Sequence, residues 1–418
     1  MMNYELRTVR TKSKSVLFDG NKFERIDSSN QIAQTARVLK DGKISTAASS
    51  KPGAGEELIK QAGEMVKYGS PYSINFAGKA DVAEMNLVND AEMPSKGMID
   101  MVGDFVSSLR AIDERLTVSG RLSSTLTEVS LKTSEGFDHS YRKSIWSGGG
   151  SVELMRGEDL LAIYDGKMSM GPDIDFKKLI ADMKQKLEWA DKVVEFKAGA
   201  YPVIFTPREV GSVLMPIIAS MNGQAVYRKI SPWSDKLGQK LMDERFTLID
   251  DATTPGSWAS LPFDNEGTPT RKNALVQNGV IKDLLTDRKV AAQLGIQSSG
   301  NAGGMGVSPN YLMMDGGSKT FDELVKSINY GLIIDGTMGA WSGNPYSGIV
   351  TGTIAMGLLV ENGKIAGRVK DCMFTINAFE HFNKHFVDCT TEREQVGARQ
   401  AAALLPYLLL DEVVISTK

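Results

Sequence analysis

Apolar residues along this chain recur with two different periods. Met98, Val102, Phe105, Leu109, Ile112 and Leu116 fall at three- and four-residue steps, the spacing of one buried helical face. Phe176, Leu179, Ile180, Met183 and Leu187 repeat that spacing. Thr320-Phe321-Asp322-Glu323 reads as a capping box ahead of Leu324, Val325 and Ile328. Elsewhere the period is two. Leu116 and Val118, then Leu126, Val129 and Leu131, predict strands on either side of the serine-rich stretch 119–124.

Turn chemistry adds hairpins to this pattern. Asp19-Gly20, Asp41-Gly42, Asp165-Gly166, Asn278-Gly279 and Asn362-Gly363 each adjoin apolar or β-branched runs. Asn-Gly and Asp-Gly supply the positive φ angles that two-residue turns require. Leu358 to Ile365 is the clearest case, a strand, a turn at Asn362-Gly363 and a returning strand, and Leu275 to Leu285 repeats it. Helices interleaved with hairpins, without regular βαβ alternation, predict an α+β fold. The chain leaves the second helical pattern near Asp191 and passes through Gly199-Ala200-Tyr201-Pro202 into Val203-Ile204-Phe205. We therefore expect two domains: residues 1–191 with helices on an antiparallel sheet, and 192–418 dominated by antiparallel sheet.

Composition narrows the function classes. At 418 residues the chain exceeds one ordinary hydrophobic core. Its 42% hydrophobic and 24% charged residues are those of a soluble globular protein. A formal net charge of −3 gives no electrostatic footprint for nucleic acid. No apolar run is long enough to span a membrane, and Met1-Met2-Asn3-Tyr4-Glu5-Leu6-Arg7 lacks the apolar core of a signal peptide. Two cysteines make no disulfide framework, so the expected location is the cytoplasm.

Soft metal-ligand capacity is concentrated in one place. Of three histidines and two cysteines, His381, His385 and Cys389 fall within nine residues. On a helix His381 and His385 would lie one turn apart, a usable ligand pair. Cys389 would sit roughly 12 Å from His381 along the axis, too far to share one ion on a straight helix. The alternative is that Phe379, Phe382 and Phe386 form a buried stripe with the histidines at its edge.

Other constellations are weaker. Asp250-Asp251 precede Thr253-Thr254-Pro255-Gly256, and Phe263-Asp264-Asn265-Glu266-Gly267 follows. Paired carboxylates can bind a cation or share acid and base roles, but they are also ordinary turn residues. The glycine-rich loops 298–306 and 341–348 contain Ser299, Asn301, Gly303, Gly304, Asn344 and Ser347. They lack P-loop and dinucleotide signatures and suit close approach to a peptide or partner backbone. No G-x-S-x-G elbow and no H-E-x-x-H occurs. Ser140-Tyr141-Arg142-Lys143 matches S-x-x-K only by letters.

Several segments together resemble the TldD/PmbA family, once called modulators of DNA gyrase. They are Arg37 to Ile44 (RVLKDGKI), Val129 to Gly136 (VSLKTSEG) with Tyr141-Arg142, Tyr201 to Phe205 (YPVIF) and Tyr227-Arg228-Lys229. Pro262 to Gly267 (PFDNEG), Gly300 to Gly304 (GNAGG) and Val360 to Ile365 (VENGKI) complete the set. The resemblance spans almost the whole chain. It implies an α+β N-terminal domain, a sheet-rich C-terminal domain and cytoplasmic peptide hydrolysis by two related subunits. The metal-bearing subunit, TldD, carries H-E-x-x-x-H on a helix with a later cysteine as third zinc ligand. Its glutamate activates water for attack on the amide.

This chain departs from that pattern. Met215-Pro216 and Ser220 stand where His-Glu and the second histidine would be. The chain is thus most similar to the PmbA/TldE subunit, without a metal motif, and Cys389 falls near the position of the metal-bearing subunit's cysteine. The resemblance implies no cofactor here, zinc in a TldD-like partner, and a peptide substrate, with a homodimer possible when the partner is absent. Two alternatives stand beside it: a self-sufficient zinc peptidase using His381 and His385, and a regulator that binds DNA gyrase directly.

Overall fold

The computed structural model describes residues 2–304, 306–340, 342–397 and 401–417, and the chain folds as an α+β protein built on two sheets. The first sheet is wholly antiparallel. Its seven strands run in the order Ser70–Pro71, Lys43–Ser49, Lys22–Lys40, Asn3–Asp19, Thr117–Thr133, Asp138–Arg156 and Asp159–Ser169. The second has eleven strands, from Gly199–Phe205 to Ala402–Thr417. Asp191 lies between the two, just after the helix Phe176–Trp189.

Five strands of the second sheet close on themselves. Gly199–Phe205 pairs with Tyr330–Met338, then follow Ile349–Glu361, Cys372–Asn377 and Ala402–Thr417, which returns to Gly199–Phe205. Closure removes the open edges of these strands. It also explains the unbroken apolar runs. Val203 and Phe205 point into one core while Ile204 points into another. Leu332 and Ile334 divide from Ile333 in the same way, as do Leu408 and Leu410 from Leu409. Successive strand residues face opposite sides, so a strand buried on both faces must be apolar throughout.

The second of these cores joins the two sheets. It runs from Val118, Leu122 and Val152 through the helices Ser95–Arg110 and Phe176–Trp189 to Ile204, Ile333, Leu358 and Leu409. Met98, Val102, Phe105 and Leu109 are buried as their spacing predicts. The helix stops at Arg110, however. Ile112 is exposed, and Leu116 is buried on the approach to the next strand. The capping box at Thr320 forms as read, with Thr320 Oγ1 accepting from Glu323 N and the Glu323 carboxylate accepting from Thr320 N.

Three local readings need correction. Asp165-Gly166 is not a hairpin: it lies inside the strand Asp159–Ser169, opposite Gly150 and Gly149. The turn there is at residues 157–158, with Gly157 at φ +65°. The close packing here is set by Gly149, where a Cβ would run into the backbone of Asp165 and Gly166, while a Cβ on Gly166 would press on Gly148 O. The serine-rich stretch 119–124 does not interrupt its strand either. Thr117–Thr133 runs straight through it, and Ser123 and Ser147 hydrogen-bond across strands at 2.7 Å. By contrast, Asp41-Gly42, Asn278-Gly279 and Asn362-Gly363 adopt the expected positive φ. In the first hairpin the turn residues are Gly20-Asn21, one position later than expected.

Candidate functional site

The helix Pro207–Ser220 follows directly from the strand Gly199–Phe205. Its apolar residues Val210, Val213, Leu214 and Ile217 enter the core of the closed strands. Gly211, Ser212, Met215 and Ala219 form the half-exposed stripe. Pro216 is buried inside the helix, where it removes a backbone donor. Ser220 is fully buried, and its Oγ donates to Pro216 O at 2.7 Å. Positions 215 and 220, five residues apart, leave a regular helix roughly 140° apart.

These three residues do not fit a zinc ion. Proline offers no ligand atom, the serine hydroxyl is used and enclosed, and a lone thioether is a poor zinc donor.

The histidine cluster does not fit one either. Only His381 lies within the short helix Ala378–Lys384, while His385 caps it and Cys389 belongs to the strand Phe386–Gly397. His381 Nδ1 lies 2.9 Å from Asn377 O and Nε2 lies 3.3 Å from Glu412 O, so both ring nitrogens face carbonyls. Burial lowers its pKa. Cys389 is buried with its Sγ toward Asp315 O, and burial, then Asp388, pushes the thiol up to about 12. Among the described residues no three histidine, cysteine or carboxylate side chains gather as a metal site. His381, His385 and Cys389 thus belong to a helix, its C-cap and the following strand rather than to one helical face. Phe382 and Phe386 are the buried stripe, with Phe379 partly buried beside them.

The paired carboxylates turn out to organise loops. Asp250 is fully buried and accepts from Asn301 Nδ2 at 2.6 Å, Asn310 N at 2.8 Å and Tyr311 N at 2.7 Å. Asp264 accepts backbone N–H bonds from Glu266, Thr268 and Ala302. Asp251 accepts from Thr253 N and Oγ1. Asp251 and Asp264 do the work of turn residues, whereas Asp250, at the end of the strand Leu248–Asp251, ties down the distant segment 301–311.

This changes the reading of the first glycine-rich loop. Ser299 and Asn301 are 1% and 0% exposed. Ser299 is bonded to Thr286, and Asn301 to Asp250 and Ser308. They pin the loop from inside, so their side chains face neither peptide nor partner. Gly303 and Gly304 line a cleft of about 380 Å³ opposite Glu5, Arg7 and Arg37 of the first sheet. Met305 in this loop and Trp341 in the next lie outside the described residues. Asn344 and Ser347 are exposed. They hold the turn Pro345–Ser347 through Tyr346 N and Asn344 O, and that turn packs on the helix Pro207–Ser220.

Glu266 belongs to the same cleft. It accepts from Arg288 N at 3.0 Å and lies 3.8 Å from Arg37, linking the loop to the first sheet. Burial pushes its carboxyl up to about 7 from an ordinary 4.5, only partly offset by these two partners. The folded protein thus binds this proton more tightly than the unfolded chain does. That contribution to stability is complete below about pH 4.5 and is lost as pH rises through 7. Melting temperatures should therefore fall from pH 5 to pH 8 by less in Glu266→Gln than in the wild type. Parallel pH profiles for the two proteins would contradict this.

A cavity of about 620 Å³ lies where the two sheets meet. Gly148, Gly149 and Gly150 and the strand edge 164–168 supply one wall. Thr206, Pro207 and Arg208 at the start of the helix, together with Asp335 and residues 394–397, supply the other. Lys186 sits between them. Its ammonium lies 3.3 Å from Asp165 of the first sheet and 2.9 Å from Asp335 of the second. Burial alone would lower the Lys186 pKa, but Asp335 and Asp165 outweigh it and the net shift is upward. Lys167 and the Tyr407 hydroxyl share Glu394, at 2.7 and 3.2 Å.

Backbone edges border this cavity. Asp159–Ser169 is the outermost strand of the first sheet. The carbonyls of Leu160 and Tyr164 turn away from its partner, since they accept from Arg368 and Arg208. Alternate residues direct their backbone groups to the same side, so those of Met168 also turn outward beside the cavity it lines. The arrangement suits an extended, polar chain with balanced charge. Sequence reasoning did not find it. Its residues are separated by more than two hundred positions, and the run Gly148-Gly149-Gly150 was the only local signal.

This architecture defines a two-sheet α+β protein with a polar cleft between the sheets and no assembled metal site among its described residues. The chain belongs to the PmbA/TldA metallopeptidase family: the family's C-terminal domain matches residues 198–417 and its domain 1 matches residues 4–66. Among relatives, an uncharacterized protein of Methanocaldococcus jannaschii is 26% identical over 91% of this chain and 90% of its own length. A protein of Methanothermobacter thermautotrophicus named metalloprotease is 25% identical over 90% of this chain and 85% of its own. Metalloprotease PmbA of Escherichia coli O157:H7 is 28% identical over 41% of this chain and 38% of its own. In fold, the crystal structure of TldE from Thermococcus kodakarensis superposes with a TM-score of 0.92 at 22% identity, covering 99% of this chain and 96% of that one. No helix among the described residues is long and apolar enough to cross a membrane.

Proposed function

We propose that this chain is the subunit without a catalytic metal in a TldD/TldE-type peptidase assembly that acts on unfolded peptides in the cytoplasm. The observation that carries this reading is the helix Pro207–Ser220, where Met215, Pro216 and Ser220 supply neither zinc ligands nor a general base. The family relationship supports a peptidase-related role. Zinc and the water-activating glutamate then belong to a related subunit carrying H-E-x-x-x-H. This chain contributes the cleft between its sheets, whose strand edges and paired charges suit an extended peptide held by strand addition.

Copurification tests the partnership. A tagged copy expressed in its native host should recover a relative bearing H-E-x-x-x-H. Recovery of DNA gyrase without any such relative would instead support the regulator reading.

A further inference from the structure

The smaller cleft, between the first sheet and the loops 265–306, holds unmatched charges. In the register of the first sheet Glu5 stands opposite Arg37 and Arg7 opposite Thr35, and all four line this cleft of about 380 Å³. Residues two apart on a strand share a face, so Glu5 and Arg7 point the same way. Glu5 is committed to Arg37, accepting from its Nε at 2.7 Å and its Nη2 at 2.9 Å. Arg7 is left over: among the described residues its guanidinium has no hydrogen-bond or ion-pair partner. Burial lowers its pKa, and only Tyr141 and Glu5 pull the other way. The facing wall has the converse defect. Glu266 receives one backbone N–H, from Arg288, and a contact of 3.8 Å from Arg37, too little to offset its burial. Asp287 beside it caps a helix through Val290 N.

The charge balance selects the kind of ligand. Arg7 and Arg37 face Glu5, Glu266 and Asp287, so a bare anion would enter a cleft that is already negative when Glu266 is ionised. A bare cation would meet the unpaired Arg7. A small molecule carrying both charges meets neither objection. Its carboxylate can take the planar fork of Arg7, and its ammonium can donate to the carboxylate of Glu266. Thr35 and Asn265 also line the cleft, and their side chains have no internal partner among the described residues, so they can hold a peptide group or a second carboxylate oxygen. The cleft has the size of a small-ligand site, with Gly303 and Gly304 adding backbone and no side chain to its wall. We propose that it binds a small zwitterion, a free amino acid or a dipeptide, with Arg7 on the carboxylate and Glu266 on the ammonium. This inference does not depend on the peptidase reading.

Isothermal titration of the full chain with alanine and with the dipeptide Ala-Ala tests it, each probe also supplied with its amine acetylated or its carboxylate amidated. At least one of the two free zwitterions should bind saturably, and the tighter of them sets the length the cleft accepts. Removing either charge from it should weaken binding by about tenfold, the scale of one hydrogen bond to a charged group. Two variants should divide this preference. Arg7→Met should no longer distinguish the free carboxylate from the amide, while still preferring the free amine. Glu266→Gln should do the reverse. The capped probes on the wild type carry the test even where a variant fails to fold. Absence of saturable binding by both zwitterions overturns the proposal, and so does a capped form that binds as tightly as the free one.

Discussion

Lys186→Met should loosen the junction between the two sheets and destabilise the protein by about 3 kcal/mol, the scale on which a buried ion pair fails when one partner is removed. The Lys186 side chain is 17% exposed and that of Asp335 only 9%. Methionine preserves most of the packing volume but leaves Asp335 buried without its cation. Asp165 loses the same partner, so both walls of the cleft are affected. Chemical denaturation would read the loss as a lower midpoint with an unchanged slope. Asp335→Asn should recover part of the loss in the Lys186→Met background, because it removes the stranded charge. An unchanged midpoint in Lys186→Met would mean that the lysine does not hold the sheets together. A double variant no better than the single one would show that the stranded carboxylate is not the cause.

The contrast between this lysine and the histidines shows what the sequence could and could not reveal. Period and turn chemistry identified the buried faces of Ser95–Arg110 and Phe176–Trp189, the capping box at Thr320 and three tight turns, because each is decided within a few residues. Asp165-Gly166 carried the same letters as those turns yet sits within a strand, since a glycine can also serve close packing of neighbouring strands. Ser299 and Asn301 looked like loop residues available to a ligand. Their burial follows from Thr286 and Asp250, which lie 13 and 51 positions away in sequence. Runs such as Leu408-Leu409-Leu410 read plainly as apolar strand, but their division between two cores depends on closure of distant strands.

The candidate site was legible mainly through what it lacks. Local letters at 215–220 exclude a His-Glu motif without any knowledge of the fold. Scarce histidine drew attention to 381–389, where the structure finds one imidazole facing two carbonyls and a thiol held protonated by burial. The cleft between the sheets had no comparable signature. Arg208, Asp335 and Glu394 converge on it from separate elements, and Lys186 bridges its two walls through Asp165 and Asp335.

The second large effect concerns activity, and it is close to all-or-none. A peptidase site built on zinc needs an open coordination position, a ligand set and a base for water. Met215, Pro216 and Ser220 provide none of these, and His381 and Cys389 are committed to the protein interior. Hydrolysis in the assembly should then depend wholly on the related subunit, while this chain affects how a peptide is held. The most direct measurement is hydrolysis of an unfolded peptide by the purified chain, alone and mixed with its H-E-x-x-x-H-bearing relative, with and without a zinc chelator. The expected result is no chelator-sensitive hydrolysis by this chain alone and its appearance in the mixture. Chelator-sensitive hydrolysis by the pure single chain, abolished in His381→Ala or His385→Ala, would contradict it.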